Sequence, residues 1–358
     1  MTRRLHTCLL AVAALAAMAI LPASAGARAF TPPNSKIFHG VSDTGDSDGY
    51  RAFTDQVREH NAVLQNFYHW GVPVGTGALQ RWRHTRTRGV LSLSTAPGGQ
   101  AEVIDPKGIA KGRGDDYILS LNSAIAKSHQ VVYIRLMPEM NGHWNPYSAF
   151  NSDGSSRGAD HSTKWFKKAW QRFALIVRGG SRKSINNRLR KARLPRIYRA
   201  SSNNAKVYKR KNVPRKLRKP KVALMWVPQT SGSPDVPGNA PKKYWPGARY
   251  VDWVGADVYS KFANSTLWNK LNSFYRRFDG KPFVIGEYSP WDSDPGGQFV
   301  AKLFNWVESH RRTRMAIYYR SVNTTNAFNI QFYPESQNVL QSVLNRERYM
   351  SVAPEYRR

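Results

Sequence analysis

Short apolar stretches with the composition of β-strands alternate with longer stretches of helical periodicity along most of the chain. The predicted strands cover residues 36–41, 63–70, 90–94, 131–139, 222–227, 250–259, 283–287 and 315–319. The predicted helices cover residues 49–62, 78–88, 115–128, 163–178, 267–278, 297–310 and 337–348. Strands that alternate with helices at this interval form a parallel sheet. Eight such strands predict the α/β class and a (β/α)8, or TIM, barrel.

The strand predicted at 131–139 has two chemically different faces, because side chains alternate along a strand. One face is apolar and consists of Val132, Ile134 and Leu136. The other face carries a cation and a carboxylate and consists of Tyr133, Arg135, Met137 and Glu139. The dipeptide Asn141-Gly142 is a turn signal, which puts Glu139 at the end of the strand. Such a strand suits a barrel that packs helices outside and becomes polar inside near its mouth.

A second carboxylate ends another short apolar strand, at 283–287. Phe283, Ile285 and Glu287 are predicted to share one face of it. Hydrolysis of a glycosidic bond requires two carboxyl groups, one that donates a proton to the leaving oxygen and one that attacks or stabilises the anomeric carbon. Catalytic residues of (β/α)8 barrels also lie at the C-terminal ends of the strands. Glu139 and Glu287 are therefore the candidate catalytic pair, and the alternative for each is a surface glutamate without a role.

Three segments of the chain resemble glycoside hydrolase family 26, the β-mannanase family, in their order and spacing. They cover residues 135–144, 251–259 and 285–288. The most specific feature is Glu-Met-Asn-Gly, which begins at Glu139 and is followed by Trp144. The resemblance implies a retaining (β/α)8 hydrolase of β-linked polysaccharides, with β-1,4-mannan as the first choice of substrate. It also implies that Glu139 matches the acid/base, Glu287 the nucleophile and Tyr259 a tyrosine that hydrogen-bonds the nucleophile.

The chain departs from this family at Pro138, where the family usually has a histidine that helps to hold the sugar nearest the cleavage point. For that reason the sequence determines neither the rate of turnover nor the polymer that is cleaved, and the candidate substrates are mannan, mixed-linkage glucan and xylan. A second hypothesis follows, in which the chain is a catalytically weak barrel that binds glycan and is anchored to an anionic cell-surface polymer. Release of reducing sugar from a panel of β-glycans distinguishes the two hypotheses.

Further residues are predicted to support the nucleophile or to bind the substrate. Arg135 and the Tyr259 hydroxyl are expected to stabilise the Glu287 anion. Asn141 and His143 are expected to hydrogen-bond sugar hydroxyls, with a solvent-facing loop histidine as the alternative for His143. The candidate stacking surfaces for sugar rings are Trp144, Trp226 and Trp291. Core packing is the alternative for each tryptophan, and most of all for Trp226.

Other reaction classes lack their motifs in this sequence. The only cysteine is Cys8, and the chain contains no His-x-x-x-His pair. Gly75-x-Gly77 lacks the third glycine of a dinucleotide-binding motif. No cofactor and no metal are therefore expected. A Ca²⁺-binding loop at Asp43, Asp46 and Asp48 is the remaining alternative, and its spacing is a common one.

Residues 1–25 have the pattern of a secretory signal peptide. Arg3 and Arg4 precede an apolar run at 8–21, and Ala23-Ser24-Ala25 fits a signal-peptidase site. Cleavage after Ala25 predicts a secreted protein, with an uncleaved N-terminal anchor as the alternative. Residues 26–358 are then expected to form one catalytic domain without a membrane span, acting as a monomer on a polysaccharide substrate.

Residues 178–221 contain eighteen Lys or Arg and no Asp or Glu, in a chain whose formal net charge is +32. An insertion at 181–219 is therefore predicted between the fourth helix and the fifth strand of the barrel, at the face opposite the catalytic mouth. Runs of like charge are usually solvated and partly disordered arms. The alternative is an electrostatic anchor for an anionic polymer, such as an acidic polysaccharide, a teichoic-acid-like polymer or nucleic acid.

Overall fold

The computed structural model describes residues 29–43, 47–98, 100–197, 213–320 and 327–357. The signal-peptide prediction for residues 1–25, which include Cys8, lies outside this part of the chain. Within the described ranges, no helix combines the length and the apolar character needed to cross a membrane.

Eight parallel strands close into a barrel, and three two-residue strands lie outside it. The strands are β1 (Ile37–Asp43), β2 (Val63–His69), β3 (Arg88–Ser94), β4 (Val132–Leu136), β5 (Gly180–Ser181), β6 (Lys216–Leu217), β7 (Val222–Trp226), β8 (Trp253–Tyr259), β9 (Phe283–Ser289), β10 (Thr313–Tyr318) and β11 (Tyr349–Met350). The barrel order is β1-β2-β3-β4-β7-β8-β9-β10, and β10 pairs again with β1. The predicted (β/α)8 fold is confirmed.

Helices cover the outside of the barrel. They are α1 (Ser47–Val57), α2 (Ala78–His84), α3 (Pro106–Lys111), α4 (Asp115–Ser128), α5 (Thr163–Val177), α6 (Arg182–Lys191), α7 (Pro241–Tyr244), α8 (Ser265–Arg277), α9 (Gln298–Ser309) and α10 (Pro334–Leu344). The helix after β7 is only four residues long. The rest of that connection is loop, and part of it reaches the carboxyl ends of the strands.

Two apolar layers enclose the strands of the barrel. The outer layer, between strands and helices, includes Val132, Ile134 and Leu136, so the predicted apolar face of this strand is confirmed. The inner layer fills the barrel and includes Tyr133 and Val284. The N-terminal residues close its lower end, where the Trp253 indole N–H donates to the Ala29 carbonyl oxygen at 2.6 Å. The polar interior therefore lies at the other end, where the strands finish.

Three helices, α1, α2 and α10, end four or more residues earlier than their sequence periodicity predicts, and a left-handed arginine follows each of the first two. Helix α1 ends at Val57, and Arg58 follows it with φ 56°. Helix α2 ends at His84, and Arg86 follows with φ 54°. A left-handed residue turns the chain out of the helix, and glycine is the usual choice for it. Because arginine occupies both positions, the sequence carries no stop signal there.

The described part of the basic segment is folded against the barrel. Strands β5 and β6 pair antiparallel, and α6 fully buries Ile185 and Leu189 in the outer core layer. The side chains that face solvent include the cations Lys183, Arg190, Lys191, Arg193, Arg196, Arg215, Lys216, Arg218, Lys219 and Lys221. The solvated-arm interpretation is therefore wrong for residues 181–197 and 213–219. The Val132 backbone N–H donates to the Lys221 carbonyl at 2.9 Å, which puts the end of the segment beside the start of β4.

Candidate active site

A cleft of about 720 Å³ opens at the carboxyl ends of the barrel strands. Three carboxyl groups line it, from Glu139, Asp257 and Glu287. Its aromatic lining consists of Trp144, Tyr259, Phe262, Trp291, Tyr319 and Phe328. The two glutamates that the sequence singles out thus share one cavity, together with a third carboxyl group that it did not assign.

A β-bulge turns Glu287 into this cleft. Along β8 and β9 the pairing runs regularly as far as Ala256 with Ile285, then shifts so that Asp257 pairs with Glu287. The extra residue is Gly286, and a bulge of this kind moves the following side chain to the other face. Phe283 and Ile285 face the helices. The prediction that they share a face with Glu287 is therefore wrong, because strict alternation does not hold across the bulge.

Three donors contact the Glu287 carboxylate. Its Oε1 accepts hydrogen bonds from Arg135 Nη1 and, at 3.1 Å, from Gln65 Nε2. Its Oε2 accepts from the Tyr259 hydroxyl at 2.5 Å. Both residues that the sequence assigned to Glu287 contact it, and Gln65 is an addition from β2. Charge-assisted hydrogen bonds of this type stabilise the ionised carboxylate and hold its orientation.

Glu139 lies just beyond β4 on a strained piece of backbone. Met137 has φ 44° and Glu139 has φ 49°, in the left-handed region that non-glycine residues rarely adopt. The Glu139 backbone N–H donates to the Val227 carbonyl at 2.8 Å, which holds this turn against the end of β7. Strain of this kind concentrates at functional sites, where the surrounding structure sustains it.

Three side chains contact the Glu139 carboxyl group, and one of them is Asp257. Gln229 Nε2 donates to Glu139 Oε1, and Trp144 Nε1 donates to Glu139 Oε2 at 3.0 Å. Burial raises the pKa of Glu139 above its usual range, and the negative charge of Glu287 raises it further. Hydrogen bonds and the Arg135 charge act in the opposite direction. Glu139 therefore keeps its proton to a higher pH than an exposed glutamate.

Asp257 is the third carboxyl group, and its role was missed from the sequence. It is buried on β8 and accepts a hydrogen bond from Arg135 Nη2, so Arg135 bridges Asp257 and Glu287. Burial raises the pKa of Asp257 well above its usual range, and Glu287 and Glu139 add to this effect while Arg135 opposes it. Burial also opposes the charge on Arg135, but the two carboxylates outweigh it and raise the pKa of Arg135. The signal available in the sequence was the position of Asp257 on the inner face of β8, two residues before Tyr259.

Asn141 and His143 shape the mouth of the barrel without lining the cleft. Asn141 is fully buried, and its side-chain amide donates to the carbonyls of Gln229 and Ser231 at 3.0 and 3.1 Å. The Gln229 backbone N–H donates back to Asn141 Oδ1 at 2.9 Å. His143 Nδ1 lies 3.3 Å from the Ser233 carbonyl oxygen. These contacts hold the loop after β7, and with it Gln229, in position, and the sugar contacts expected of Asn141 and His143 stay a prediction.

The three candidate tryptophans have different surroundings. Trp144 is 52% exposed and folds back over Gly142, where a Cβ atom would collide with its ring. Trp291 lies on the cleft wall against Tyr259, with ring centroids 5.6 Å apart. Trp226 is fully buried in the outer core layer, and its centroid lies 4.9 Å from that of Trp245. The prediction of Trp226 as a stacking surface is wrong, because its ring faces the helices.

Several cleft residues were not assigned to the site from the sequence. They are Gln229, Phe262, Tyr319 and Phe328. Gln229 lies ninety positions after the glutamate that it contacts, so no local pattern joins them. Among the described residues, no three His, Cys, Asp or Glu side chains are grouped to hold a metal ion.

Comparison with known proteins gives a match in structure and none in sequence. No family model matches the chain, and no curated protein matches it. The structure of GH26A from Muricauda sp. MAR_2010_75 matches with a TM-score of 0.54 at 14% identity, over 91% of this chain and 94% of that one. An endo-β-1,4-mannanase double mutant from Cellulomonas fimi matches with a TM-score of 0.56 at 12% identity, over 92% and 76%.

A third match is the GH26 domain of the endo-β-mannanase/endo-β-glucanase PbGH26-GH5A from Prevotella bryantii. Its TM-score is 0.51 at 12% identity, over 90% of this chain and 92% of that one. At these identities a structural match establishes the fold, while activity is a property of the site. The chain therefore has the fold of glycoside hydrolase family 26 structures.

Proposed function

We propose that the protein is a glycoside hydrolase that cleaves a β-linked polysaccharide by double displacement, with β-1,4-mannan as the first candidate. The observation that carries this proposal is the contrast between two glutamates in one cleft. Glu287 is held by Arg135, Gln65 and Tyr259, which favour the anion. The pKa of Glu139 is raised by burial and by Glu287, which favours the protonated acid. A nucleophile and an acid need opposite protonation states at the same pH.

In the first step, a Glu287 oxygen attacks the anomeric carbon while the bond to the leaving oxygen breaks. Glu139 gives its proton to that oxygen, and the product is a glycosyl ester on Glu287. Esterification removes the negative charge of Glu287, so one of the causes that raise the pKa of Glu139 disappears. Glu139 is then able to take a proton from water, which attacks the anomeric carbon and frees Glu287. Gln229 and Trp144 hold the Glu139 oxygens through both steps.

The test measures hydrolysis of β-1,4-mannan, mixed-linkage β-glucan and xylan by the release of reducing sugar. Proton NMR identifies the anomer that forms first. We expect retention, and a loss of roughly 10²–10⁴-fold on Glu139→Gln or Glu287→Ala. Azide restores turnover to Glu287→Ala and yields the inverted glycosyl azide, because a small anion replaces the missing carboxylate. Glu335→Gln, at an exposed glutamate of α10, is the matched control.

Wild-type turnover in either active-site variant would refute the assignment of the pair. Binding of all three polymers without any release of reducing sugar would instead support the weak glycan-binding barrel. The observation that favours this second candidate is Pro138, between two left-handed residues at the position where family 26 usually has histidine.

We also propose the surroundings in which the enzyme works. Secretion after cleavage near Ala25 rests on residues 1–25, and mass spectrometry of the exported protein tests it. The exposed cations of the basic segment support binding of an anionic polymer by a face separate from the cleft. The protein is proposed to act as a monomer, which light scattering tests.

A further inference from the structure

A second cavity continues the catalytic cleft toward helices α7 and α8. Its volume is about 430 Å³, and it shares Thr230, Ser231, Thr266 and Lys270 with the cleft. One wall is the loop after β7 with α7, and the other is α8. Because four residues border both spaces, the two cavities are adjacent, and we refer to the second cavity as the trench extension. A polymer chain that lies in the cleft therefore passes beside it.

Cations and polar groups line the trench extension. Its charged residues are Lys242, Lys270, Arg277 and Asp235. Lys270 stands at the junction, where its Nζ lies 3.0 Å from Ser231 Oγ and 3.0 Å from Asp235 Oδ2. Lys242 and Arg277 are exposed and form no ion pair with other residues in the described ranges. The trench extension therefore has two cations without a carboxylate partner in that part of the chain.

The cleft and the trench extension differ in how their charged groups are paired. The cleft contains Glu139, Asp257 and Glu287, with Arg135 buried beneath two of them. In the cleft the Glu287 carboxylate is already paired with Arg135, whereas an anionic sugar in the trench extension would meet Lys242 and Arg277, which are not paired there. Arginine binds carboxylates through two parallel hydrogen bonds, which makes it selective for such groups. Asn269 and Ser273 of α8 add uncharged hydrogen-bonding groups to the same wall.

We propose that the trench extension binds sugar units that carry carboxylate groups, so that the substrate is an acidic β-linked glycan. The neutral unit is cleaved in the cleft, and the charged unit lies to one side of it. This inference rests on the proposed function and names the substrate class of the same site. It does not involve the described part of the basic segment, which ends beside the start of β4, at the opposite end of the barrel.

Two adjacent pairs of cations provide the test. Lys242 and Arg277 line the trench extension, whereas their chain neighbours Lys243 and Arg276 are also exposed but line neither cavity. The test variant is Lys242→Gln with Arg277→Gln, and the control variant is Lys243→Gln with Arg276→Gln. Both variants lose the same net charge and keep the basic segment, so general attraction of an acidic polymer changes equally in the two.

The substrates are β-1,4-mannan and the same preparation lightly carboxymethylated. In the test variant we expect the ratio of kcat/KM for the acidic polymer to that for the neutral polymer to fall roughly tenfold, since exposed charge pairs contribute modestly. The control variant should keep this ratio within about twofold, and the effect should shrink at high salt. An equal change in both variants, or no change in either, would overturn the proposal.

Affinity electrophoresis of Glu139→Gln proteins, carrying either cation pair, separates this proposal from the proposed function. If the wild-type protein hydrolyses neither polymer, β-1,4-mannan fails as the substrate of the proposed function. If the carboxymethylated polymer retards the test variant less than the control variant, the result would still support carboxylate binding in the trench extension. Equal retardation of test and control variants would refute it.

Discussion

Glu139 is the residue whose chemistry depends most on a neighbour. Burial raises its pKa, and the charge of Glu287 raises it further, because a nearby anion disfavours a second negative charge. An acid that must be protonated loses activity as the pH rises through its pKa. The alkaline limb of kcat/KM should therefore lie above the ordinary range of a glutamate, about pH 4.3.

Replacing Glu287 with glutamine tests this coupling directly. The substitution keeps the shape of the side chain and removes the charge, so the pKa of Glu139 should fall. Carbon-13 NMR titration of labelled glutamate carboxyls measures the shift, and comparison with a Glu139→Gln spectrum assigns the signal. The exposed control Glu335→Gln should leave it unchanged. A constant or increased pKa of Glu139 in Glu287→Gln would contradict the proposed alternation between acid and base.

At the residue scale, alternation along the predicted strand placed Arg135 on the polar face and the family resemblance paired Tyr259 with Glu287, but alternation gave Glu287 the wrong face. It could not distinguish Trp291 on the cleft wall from Trp226 in the outer core. Nor could it show that the Asn141 amide is used by the loop after β7. Each of these outcomes depends on which distant segment fills the space beside a side chain, and residue type alone does not report that.

At the scale of elements, the bulge in β9 decides which way the candidate nucleophile points. A shift of one residue moves a side chain to the other face of a strand. In the sequence, Gly286 is simply the residue before Glu287. In the structure, a Cβ atom at Gly286 would lie 2.7 Å from Asp257 Oδ1 and 2.9 Å from Val227 Cγ1. Strand positions were predictable from apolar patterning, but the bulge was not, because it arises from pairing with β8.

Gly286→Ala should therefore displace Asp257 or Glu287 without unfolding the barrel. We expect kcat/KM on the hydrolysed glycan to fall roughly 10²-fold, the effect of a displacement of about 1 Å at a reacting group. Gly280→Ala is the matched control, since nothing lies within 4 Å of a Cβ atom at that position before β9. Far-ultraviolet circular dichroism checks the fold of both variants. Near-wild-type activity in Gly286→Ala would show that the tight packing at the bulge is not needed for catalysis.

At the scale of the whole molecule, the described part of the basic segment exposes its cations away from the cleft, and the barrel core holds this part in place. Deleting residues 181–219 would remove Ile185, Leu189 and Leu217 from the outer apolar layer, so loss of binding and loss of folding would be confused. Substitution of exposed cations avoids this difficulty. The sequence revealed the charge of the segment, but not its attachment, because its few apolar residues are scattered among cations.

The last prediction concerns this charged face. The variant Lys183→Gln, Arg190→Gln, Lys191→Gln and Lys219→Gln should bind inorganic polyphosphate more weakly and with a smaller dependence on salt. Binding releases one counterion from the polyanion for each cation that contacts it. Each cation that is removed therefore lowers the slope of log affinity against log salt. The control variant Arg51→Gln, Lys243→Gln, Arg276→Gln and Lys302→Gln removes equal charge from exposed positions outside the segment and should retain most of the salt slope.

Hydrolysis of a neutral oligosaccharide should be unchanged in the first variant, because the segment joins the barrel at the N-terminal ends of its strands. Equal weakening in both variants would mean that net charge alone attracts the polyanion, and reduced hydrolysis in the first would place the segment within reach of the cleft.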